Sequence, residues 1–353
     1  MTTLQPHHGE VAWLGPAIAK SKDWTHTLTA GEIHELESIA DAVDGQDIAT
    51  LGANDFSLPA LDPVLSHIRR DIVDGRGFAL LRGLPVADWS LERTAAAYWA
   101  IGTRIGVPVA QNKVGSILGH VTDMGGDANH PNQRGHQSAD SLPFHNDIGA
   151  EIVTLLCLRG AKSGGESGIV SAAALWNELL ATRPDLANAL THPFYFDRRN
   201  EEVAGQNPWY ELPIFMPVDG RVVVSYVPRF IRSAQRFEQL PRLTKIQHEA
   251  IDLVQTLADG SRFKLEMDFQ PGDIQLVNNL VLLHSRTEYE DWPEPEHRRH
   301  LLRLWLSIPD GWPMPDAFHA RYGTDPKTGR PQGINLPPGV TFNAPLIPPD
   351  LRT

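Results

Sequence analysis

A histidine and an aspartate two positions apart precede an apolar stretch in the middle of the chain. His145 and Asp147 lie just before residues 151–158, which are predicted to form a buried strand. In an extended chain alternate side chains share a face, so these two would point the same way with Cα atoms roughly 7 Å apart. They could therefore supply two ligands of a two-histidine, one-carboxylate metal site, the arrangement used by non-haem Fe(II) oxygenases. The spacing alone is weak evidence, because His8 and Glu10 have it in a polar segment with no strand after them.

The third ligand must come from elsewhere in the chain, and a second apolar stretch offers it. A turn at Pro271, Gly272 and Asp273 precedes residues 274–286, which read as one long apolar strand with His284 near its end. A single histidine closing such a strand is the candidate that completes the set.

Two arginines begin a further apolar stretch. Arg299 and Arg303 are four positions apart in residues 299–306, so in a strand their guanidinium groups would share a face about 13 Å apart. Isolated arginines in an apolar strand are costly unless each has an anionic partner. They predict two anion sites beside the metal, one for a co-substrate carboxylate and one for a second acid. The alternative for Arg303 is internal pairing with an acid of the chain, such as Asp291 or Glu288, without contact to a substrate.

Taken together, these motifs and three others resemble the taurine dioxygenase family of Fe(II)- and 2-oxoglutarate-dependent oxygenases, to which clavaminate synthase-like enzymes are related. The resemblance extends from about Gly75 to Pro309. Besides the residues above, it includes residues 76–83, the Gly-Gly-Glu-Ser motif at 164–167 and the Pro-Gly-Asp turn. No one motif is specific, but their order and spacing together are.

The resemblance implies a cofactor set and the residues that hold it. It implies a non-haem iron dioxygenase that uses Fe(II), 2-oxoglutarate as co-substrate, and O₂. The implied iron ligands are His145, Asp147 and His284. Arg299 would hold the distal carboxylate of 2-oxoglutarate, assisted by the hydroxyl group of Ser167.

The resemblance also implies hydroxylation of a small organic molecule, with release of succinate and CO₂. Asp147 fills the coordination position that related halogenases open for a halide, which favours hydroxylation. In several relatives the position of Arg303 meets the substrate's own acid, so an acidic substrate is expected. Asn146, between two implied ligands, and Tyr226, in an aromatic-rich stretch, are further candidate substrate contacts.

The composition excludes several other partners. The 353 residues include 31 Lys and Arg against 43 Asp and Glu, a formal net charge of −12. This excess of acid argues against a nucleic-acid or anionic-membrane partner. The sequence has no apolar run of membrane-spanning length and no basic N-terminal region followed by one, so a cytoplasmic protein acting on a small molecule is expected.

The elements that must position these residues read as short strands with helices around them. Helices are predicted to begin at Thr29, Ser90 and Thr244. Seven or more short strands separated by turns predict a mainly β protein with flanking α-helices and an antiparallel double-sheet jelly roll. The resemblance implies the same double-stranded β-helix core.

Three regions are expected along the chain. Residues 1–28 read as a polar N-terminal tail, and residues 29–308 as a single catalytic jelly-roll domain with a lid around 108–143. Residues 309–353 hold 10 of the 28 prolines and read as an extended arm, which could cover a neighbouring subunit in a homo-oligomer.

Two other functions fit part of the pattern. A metal-dependent hydrolase on a jelly-roll scaffold would use the same three ligands to hold zinc and activate water. That function leaves Arg299 and Arg303 without a role. A non-catalytic metal- or ligand-binding protein on the same scaffold would not need an intact set of ligands.

Overall fold

The computed structural model describes residues 4–123, 138–202, 205–321 and 323–347 of the chain. The α-helices of these ranges are α1 (Gly15–Ile18), α2 (Ala30–Ala42), α3 (Asp62–Val73), α4 (Leu91–Ile105), α5 (Ala172–Thr182), α6 (Pro184–Leu190), α7 (Pro228–Ala234) and α8 (Lys245–Asp259). The β-strands are β1 (Thr25–Thr27), β2 (Phe78–Arg82), β3 (Val107–Pro108), β4 (Gly119–Val121), β5 (Leu142–His145), β6 (Ile152–Arg159), β7 (Ser163–Gly164), β8 (Ser167–Ser171), β9 (Pro193–Asp197), β10 (Trp209–Pro213), β11 (Phe215–Val218), β12 (Arg221–Val224), β13 (Leu265–Met267), β14 (Ile274–Asn278), β15 (Leu282–Arg286), β16 (Tyr289–Glu290) and β17 (His300–Ser307).

Two sheets form the centre of the fold. The larger has the strand order β1-β2-β14-β6-β17-β3, with β4 also paired to β17, and is antiparallel except where β1 joins β2. The smaller has the order β13-β8-β15-β5 and is antiparallel throughout. The predicted class, mainly β with flanking helices and a double-stranded β-helix core, is confirmed.

Apolar side chains cover both faces of the larger sheet. On β6 the residues alternate, so that Ile152 and Leu156 belong to the cluster shared with α2, α3 and α4, whereas Val153 belongs to the cluster shared with the smaller sheet. The second cluster also takes in Trp176 of α5 and Val254 of α8. Strands β5 and β15 of the smaller sheet, which carry the candidate histidines, contribute to this second cluster.

The three predicted helix starts are confirmed. Thr29 caps α2 and Thr244 caps α8, each in a reciprocal capping box with the residue three positions on, Glu32 and Gln247 respectively. The Ser90 hydroxyl accepts from the first turn of α4. No helix in the described ranges is both long and apolar enough to cross a membrane.

The stretch 274–286 differs from the single long strand expected. It forms β14 in the larger sheet and β15 in the smaller one, with a corner between them. At the corner the Asn278 side chain donates to the Ile72 carbonyl and accepts from the Leu280 amide, both at 3.0 Å. These bonds replace ladder bonds that a continuous strand would make, so the chain turns from one sheet to the other.

Residues 4–28 lie against the body of the protein and do not form the free tail expected. Trp13 is buried, and its indole donates to the Arg76 carbonyl at 2.9 Å. The Trp176 indole donates to the Gln5 carbonyl at 2.9 Å. The apolar residues among the polar ones, such as Trp13, give this segment a buried face.

The described part of the C-terminal segment also follows the protein's own surface. Backbone bridges join Ala110 to Gly333 and Ser116 to Asn343. Apart from the short 3-10 turn Asp316–Ala320, the residues after β17 have no regular helix or ladder in the described ranges, as the prolines predict.

The predicted lid is described only at its two ends. Residues 108–123 and 138–143 include β4 and the first half of β5, whereas residues 124–137 lie outside the described ranges. The lid around 108–143 therefore stays a prediction. Whether the C-terminal segment reaches a neighbouring subunit likewise stays a prediction.

Replacing Gly272 in the Pro-Gly-Asp turn should destabilise the protein. Its φ is +88°, and an added Cβ would lie 2.1 Å from the Leu84 carbonyl oxygen. Gly272→Ala therefore combines a strained backbone with a clash against main chain, and we expect the free energy of unfolding to fall by about 2–3 kcal/mol. Chemical denaturation monitored by circular dichroism measures this change.

Gly31→Ala is the matched control, because an added Cβ at Gly31 in α2 meets nothing within 4 Å. An alanine there favours the helix, so stability should stay the same or rise. Equal losses in both variants would contradict the steric argument for Gly272.

Candidate active site

The two candidate histidines are directly opposite each other on paired strands. His145 ends β5 and His284 lies in β15, and the two are register partners in the smaller sheet. Their ring centroids are 4.4 Å apart. Asp147 lies two residues after His145, and one ligand atom from each of the three residues lies within 4.8 Å of the others. The structure thus brings together the three ligands that the sequence predicted. Their ligand atoms are close enough to bind a single metal ion.

Both imidazole side chains are in the neutral form that can bind a metal ion. The Nδ1 of His145 is 2.8 Å from the Pro143 carbonyl oxygen, which can only accept, so this nitrogen carries the proton and Nε2 keeps its lone pair. Burial lowers the pKa of His145, and burial together with His145 lowers the pKa of His284 to about 3. Both rings are therefore neutral near pH 7, the form that coordinates metals. The buried Nδ1 of His284 has no hydrogen-bond partner among the described residues.

The Asp147 carboxylate is held in its ionised form. The Trp305 indole donates to Oδ2 at 2.7 Å, and Arg303 Nη1 lies 3.3 Å from the same oxygen. Burial alone would raise the pKa of Asp147, but the charge of Arg303, the two imidazoles and the indole bond outweigh it and hold the pKa below the usual range. Within the described ranges Oδ1 accepts no hydrogen bond, so it is open to a metal.

Asn279 fixes the backbone around Asp147. Its Oδ1 accepts from the Asp147 amide at 2.8 Å, and its Nδ2 donates to the carbonyl groups of Asp147 and Ala150. Asn279 lies at the corner between β14 and β15, so it ties the strand of one histidine to the loop that carries the aspartate. The sequence reasoning missed this residue, although two adjacent asparagines in an otherwise apolar run were the signal.

Arg303 has a different partner from those weighed on sequence. Its Nε donates to Gln111 Oε1 at 2.7 Å, and its Nη1 pairs with Asp147. Among the described residues Arg303 forms no ion pair with Asp291 or Glu288, and Asp291 Oδ1 accepts from the Arg299 amide at 2.7 Å. With 7% of its surface exposed, Arg303 is committed to the candidate ligand Asp147.

The shared face expected for Arg299 and Arg303 is interrupted. β17 begins only at His300, and its register against β6 shifts between His300 and Leu301. The extra residue of this shift, Leu158, lies on β6, and Arg299 lies outside the strand, so the alternation along β17 no longer relates the two side chains. The guanidinium groups of the two arginines therefore have different neighbours.

Two candidate substrate contacts are instead part of the core. The Asn146 side chain donates to the carbonyl groups of Asn279 and Leu282 at 2.6 and 2.8 Å and accepts from the Tyr226 amide at 2.7 Å. The Tyr226 hydroxyl donates to the Ile251 carbonyl at 2.9 Å. Asn146 is 1% exposed and Tyr226 0%. Both side chains are buried and hydrogen-bonded within the fold, so neither is available to a substrate.

Arg299 lies in a cationic pocket with Arg286 and Tyr289. Both guanidinium groups pack over the Tyr289 ring, with centroid distances of 5.1 and 4.8 Å. Arg299 Nη1, Arg286 Nε and Nη1, and the Tyr289 hydroxyl are buried and have no hydrogen-bond partner in the described ranges. Burial, with the neighbouring Arg299, lowers the pKa of Arg286 to about 10. We call these three residues the Arg299 pocket; its unmet donors suit an anion.

The Gly-Gly-Glu-Ser motif forms one wall of the Arg299 pocket. An added Cβ at Gly165 would lie 3.1 Å from Arg299 Nε, so the glycine lets the guanidinium group approach the backbone. Ser167 is buried opposite Arg286 in the sheet register, and its hydroxyl lies 3.3 Å from the Gln275 amide nitrogen. Arg286, two residues after His284, thus lies on the same side of the site as Arg299.

Comparisons with known proteins agree on one family. Residues 44–305 match the model of the taurine catabolism dioxygenase TauD, TfdA family. The chain is 31% identical over 323 residues to FR-33289 synthase from Streptomyces rubellomurinus, covering 89% of this chain and 94% of that protein. It is 32% identical over 316 residues to the taurine hydroxylase-like protein SAT17 from Stachybotrys chartarum, covering 84% and 78%.

Solved structures agree on the fold. Asparagine oxygenase, in complex with Fe(II), 2S,3S-3-hydroxyasparagine and succinate, superposes with a TM-score of 0.60 at 18% identity, covering 80% of this chain and 93% of that one. The non-haem iron oxygenase OrfP, in complex with Fe and alpha-ketoglutaric acid, gives a TM-score of 0.59 at 14% identity with the same coverage. At these identities the likeness supports the architecture alone.

Removing the indole donor to Asp147 should weaken metal binding. In Trp305→Phe the ring stays but the hydrogen bond to Oδ2 is lost, so the carboxylate is less well oriented. We expect about ten-fold lower affinity for Mn(II) or Fe(II), measured by anaerobic titration.

Trp24→Phe is the matched control, because the Trp24 indole donates to the Ile18 carbonyl at 3.2 Å and touches no candidate ligand. It should bind the metal as the parent does. A Trp305→Phe protein with parental metal affinity would contradict the role given to this bond.

Proposed function

Since this chain belongs to the taurine catabolism dioxygenase TauD, TfdA family and is an Fe(II)- and 2-oxoglutarate-dependent oxygenase, we propose that it hydroxylates a small organic acid, releasing succinate and CO₂. The observation that carries this proposal is the convergence of ligand atoms of His145, Asp147 and His284 within 4.8 Å beside the smaller sheet, which also holds Arg286 of the Arg299 pocket. One relative is named as taurine hydroxylase-like, and taurine is a small sulfonic acid.

The residues present suit iron. Two neutral imidazoles and one ionised carboxylate are the donor set of the facial site that leaves three coordination positions open. In this proposal His145, Asp147 and His284 hold Fe(II). Trp305 and Arg303 orient and charge-balance Asp147, and Pro143 fixes the tautomer of His145.

The Arg299 pocket suits the distal carboxylate of 2-oxoglutarate. A buried guanidinium group without a partner is costly, and a carboxylate satisfies it with two parallel hydrogen bonds. In this proposal Arg299 forms that pair, and the unmet donors of Arg286 and the Tyr289 hydroxyl add further bonds. Ser167 lies at the edge of the same pocket, where its hydroxyl would assist.

Iron with bound 2-oxoglutarate supplies the oxidising power that inserts an oxygen atom from O₂ into a C–H bond. The chain's residues bind and orient the reactants and exclude water. Arg299 sets the direction of the co-substrate, while the apolar cluster to which β5 and β15 contribute holds the strands of the two histidines in place. The proline-rich segment contacts the site through Arg321, whose Nη2 donates to the Asp147 carbonyl oxygen at 3.3 Å.

Neither of the other two functions explains the Arg299 pocket. A zinc hydrolase needs the three ligands and a water molecule but no buried arginines with unmet donors nearby. A non-catalytic metal-binding protein also needs neutral imidazoles, but it has no use for the unmet donors of Arg299 and Arg286 beside the metal ligands. The oxygenase uses both features.

Loss of any one of the three candidate ligands should abolish turnover. His145→Ala, Asp147→Ala and His284→Ala each remove a ligand, so we expect no iron-dependent conversion of 2-oxoglutarate to succinate. The parent should develop a weak visible charge-transfer band on anaerobic addition of Fe(II) and 2-oxoglutarate, and the variants should not.

Circular dichroism checks that each variant is folded. His67→Ala, on the exposed side of α3, is the control and should behave as the parent. An Asp147→Ala protein that binds Fe(II) and produces succinate at the parental rate would show that the ligand assignment is wrong.

Exchanging Arg299 for lysine should weaken co-substrate binding. A lysine keeps the charge but loses the two-pronged geometry that matches a carboxylate. Losing about 1.5 kcal/mol of charged hydrogen bonding corresponds to a rise of about ten-fold or more in the KM for 2-oxoglutarate.

The neighbouring Arg298 provides the matched control. It is half-buried, and its guanidinium group donates to the carbonyl groups of Trp292 and Pro293, so Arg298→Lys should leave this KM unchanged. An unchanged KM in Arg299→Lys would move the role to Arg286.

A further inference from the structure

A second buried arginine beside the candidate metal ligands lacks a counter-charge. Arg321, in the proline-rich segment after β17, is 4% exposed. Its Nη2 donates to the backbone carbonyl of Asp147 at 3.3 Å, but its Nε and Nη1 are buried and have no hydrogen-bond partner in the part of the chain described. Keeping a guanidinium group in such a place costs stability unless an anion meets it.

The Tyr210 hydroxyl shares this surrounding and is also unsatisfied. Tyr210 of β10 is 4% exposed, and its hydroxyl lies beside the Arg321 guanidinium group but has no partner at full hydrogen-bonding geometry within the described ranges. Its ring stacks on Phe196, with centroids 5.2 Å apart and planes 13° apart, so the direction of the hydroxyl is fixed. The guanidinium group of Arg198 lies 5.0 Å from the same ring and adds positive charge.

The acids nearest to Arg321 are engaged elsewhere. Asp147 pairs with Arg303, and Glu151 pairs with Arg330 at 2.7 Å. Glu151 also accepts from the Ser307 hydroxyl and the Ile308 amide at 3.1 and 2.7 Å. Burial lowers the pKa of Arg321, and the Tyr210 hydroxyl, Glu151 and Asp147 oppose this only in part. The counter-charge of Arg321 is therefore missing from the described chain.

We infer that Arg321 and Tyr210 form the subsite that binds the acidic group of the substrate beside the iron ligands. This inference rests on the proposed function and names the residues that select its substrate. The subsite offers the Nε and Nη1 hydrogens and the phenol, at least three donors. An anion with three terminal oxygens, a sulfonate or phosphonate, can accept from all of them, and a carboxylate from fewer.

This subsite is separate from the two anion-binding groups discussed above. Arg303, the sequence candidate for the substrate's acid, already has Asp147 and Gln111 as partners. The Arg299 pocket is built on Tyr289 and holds the co-substrate in the proposed function. Arg321 supplies the remaining unpaired charge next to Asp147.

The test measures thermal stability rather than turnover. The protein is loaded anaerobically with Fe(II) and saturating 2-oxoglutarate, so that the Arg299 pocket is filled. Ethanesulfonate, ethylphosphonate or propionate is then added, with N-ethylacetamide as the neutral probe. We expect the sulfonate or phosphonate to raise the Tm by about 2 °C, propionate to raise it less, and the neutral probe to leave it unchanged.

Arg321→Met should lose this response, and Tyr210→Phe should reduce it. Without anion, the Tm of Arg321→Met should equal or exceed that of the parent, because an uncompensated buried charge is removed. Arg330→Met is the matched control from the same segment. This substitution leaves the buried Glu151 without its ion-pair partner, so the Tm of the variant should fall.

Each outcome decides the inference. An Arg321→Met protein that the anions stabilise as much as the parent would overturn it, as would a parent that none of the three anions stabilises. A Tm loss in Arg321→Met as large as that in Arg330→Met would show a structural role instead. The visible charge-transfer band reports on the proposed function separately: its absence from the parent refutes that function, whereas its persistence in Arg321→Met with loss of the anion response supports the subsite.

Discussion

The contact between Arg303 and Asp147 sets the electrostatics of the site. Arg303 Nη1 lies 3.3 Å from Asp147 Oδ2, and the Trp305 indole donates to the same oxygen at 2.7 Å. Arg303 and Trp305 both lie on β17 of the larger sheet, whereas Asp147 lies in the loop after β5 of the smaller sheet. A strand of one sheet therefore positions a carboxylate that follows a strand of the other. The two sheets must pack correctly for the ion pair to form. The geometry of the candidate metal site thus depends on how the two sheets pack together.

Buried charges in this protein fall into two groups. Asp273 pairs with Arg82 at 2.7 Å and Glu151 with Arg330 at the same distance, and these pairs hold the turn before β14 and the proline-rich segment to the body. Arg286, Arg299 and Arg321 have unmet donors. Leaving them unpaired costs stability in the absence of ligand, and the bound anions recover it. The protein is therefore expected to be more stable with its reactants than without them.

The sequence predicted the ligands better than their surroundings. Alternation along a strand placed His145 and Asp147 together, although β5 ends at His145, and the apolar run placed His284 near them. Partners far apart in the chain left no local signal: Arg303 and Asp147 are 156 positions apart, and Arg321 and Asp147 are 174 apart. Periodicity reports burial of a side chain, but it does not say which group the side chain meets. The proline-rich segment has no periodic pattern of apolar residues, so its sequence did not indicate that Arg321 is buried.

The segment that carries Arg321 begins after the region that matches the family, which ends at residue 305. Its anchors are separate from Arg321: Arg330 is fixed by Glu151, and Gly333 by a backbone bridge to Ala110. Arg321 lies between β17 and these anchors and belongs to no sheet ladder, so its exchange breaks no strand pairing of the jelly roll. Lineages that descend from a common oxygenase could therefore diverge in the compounds they accept by altering this segment, while the iron chemistry is inherited unchanged.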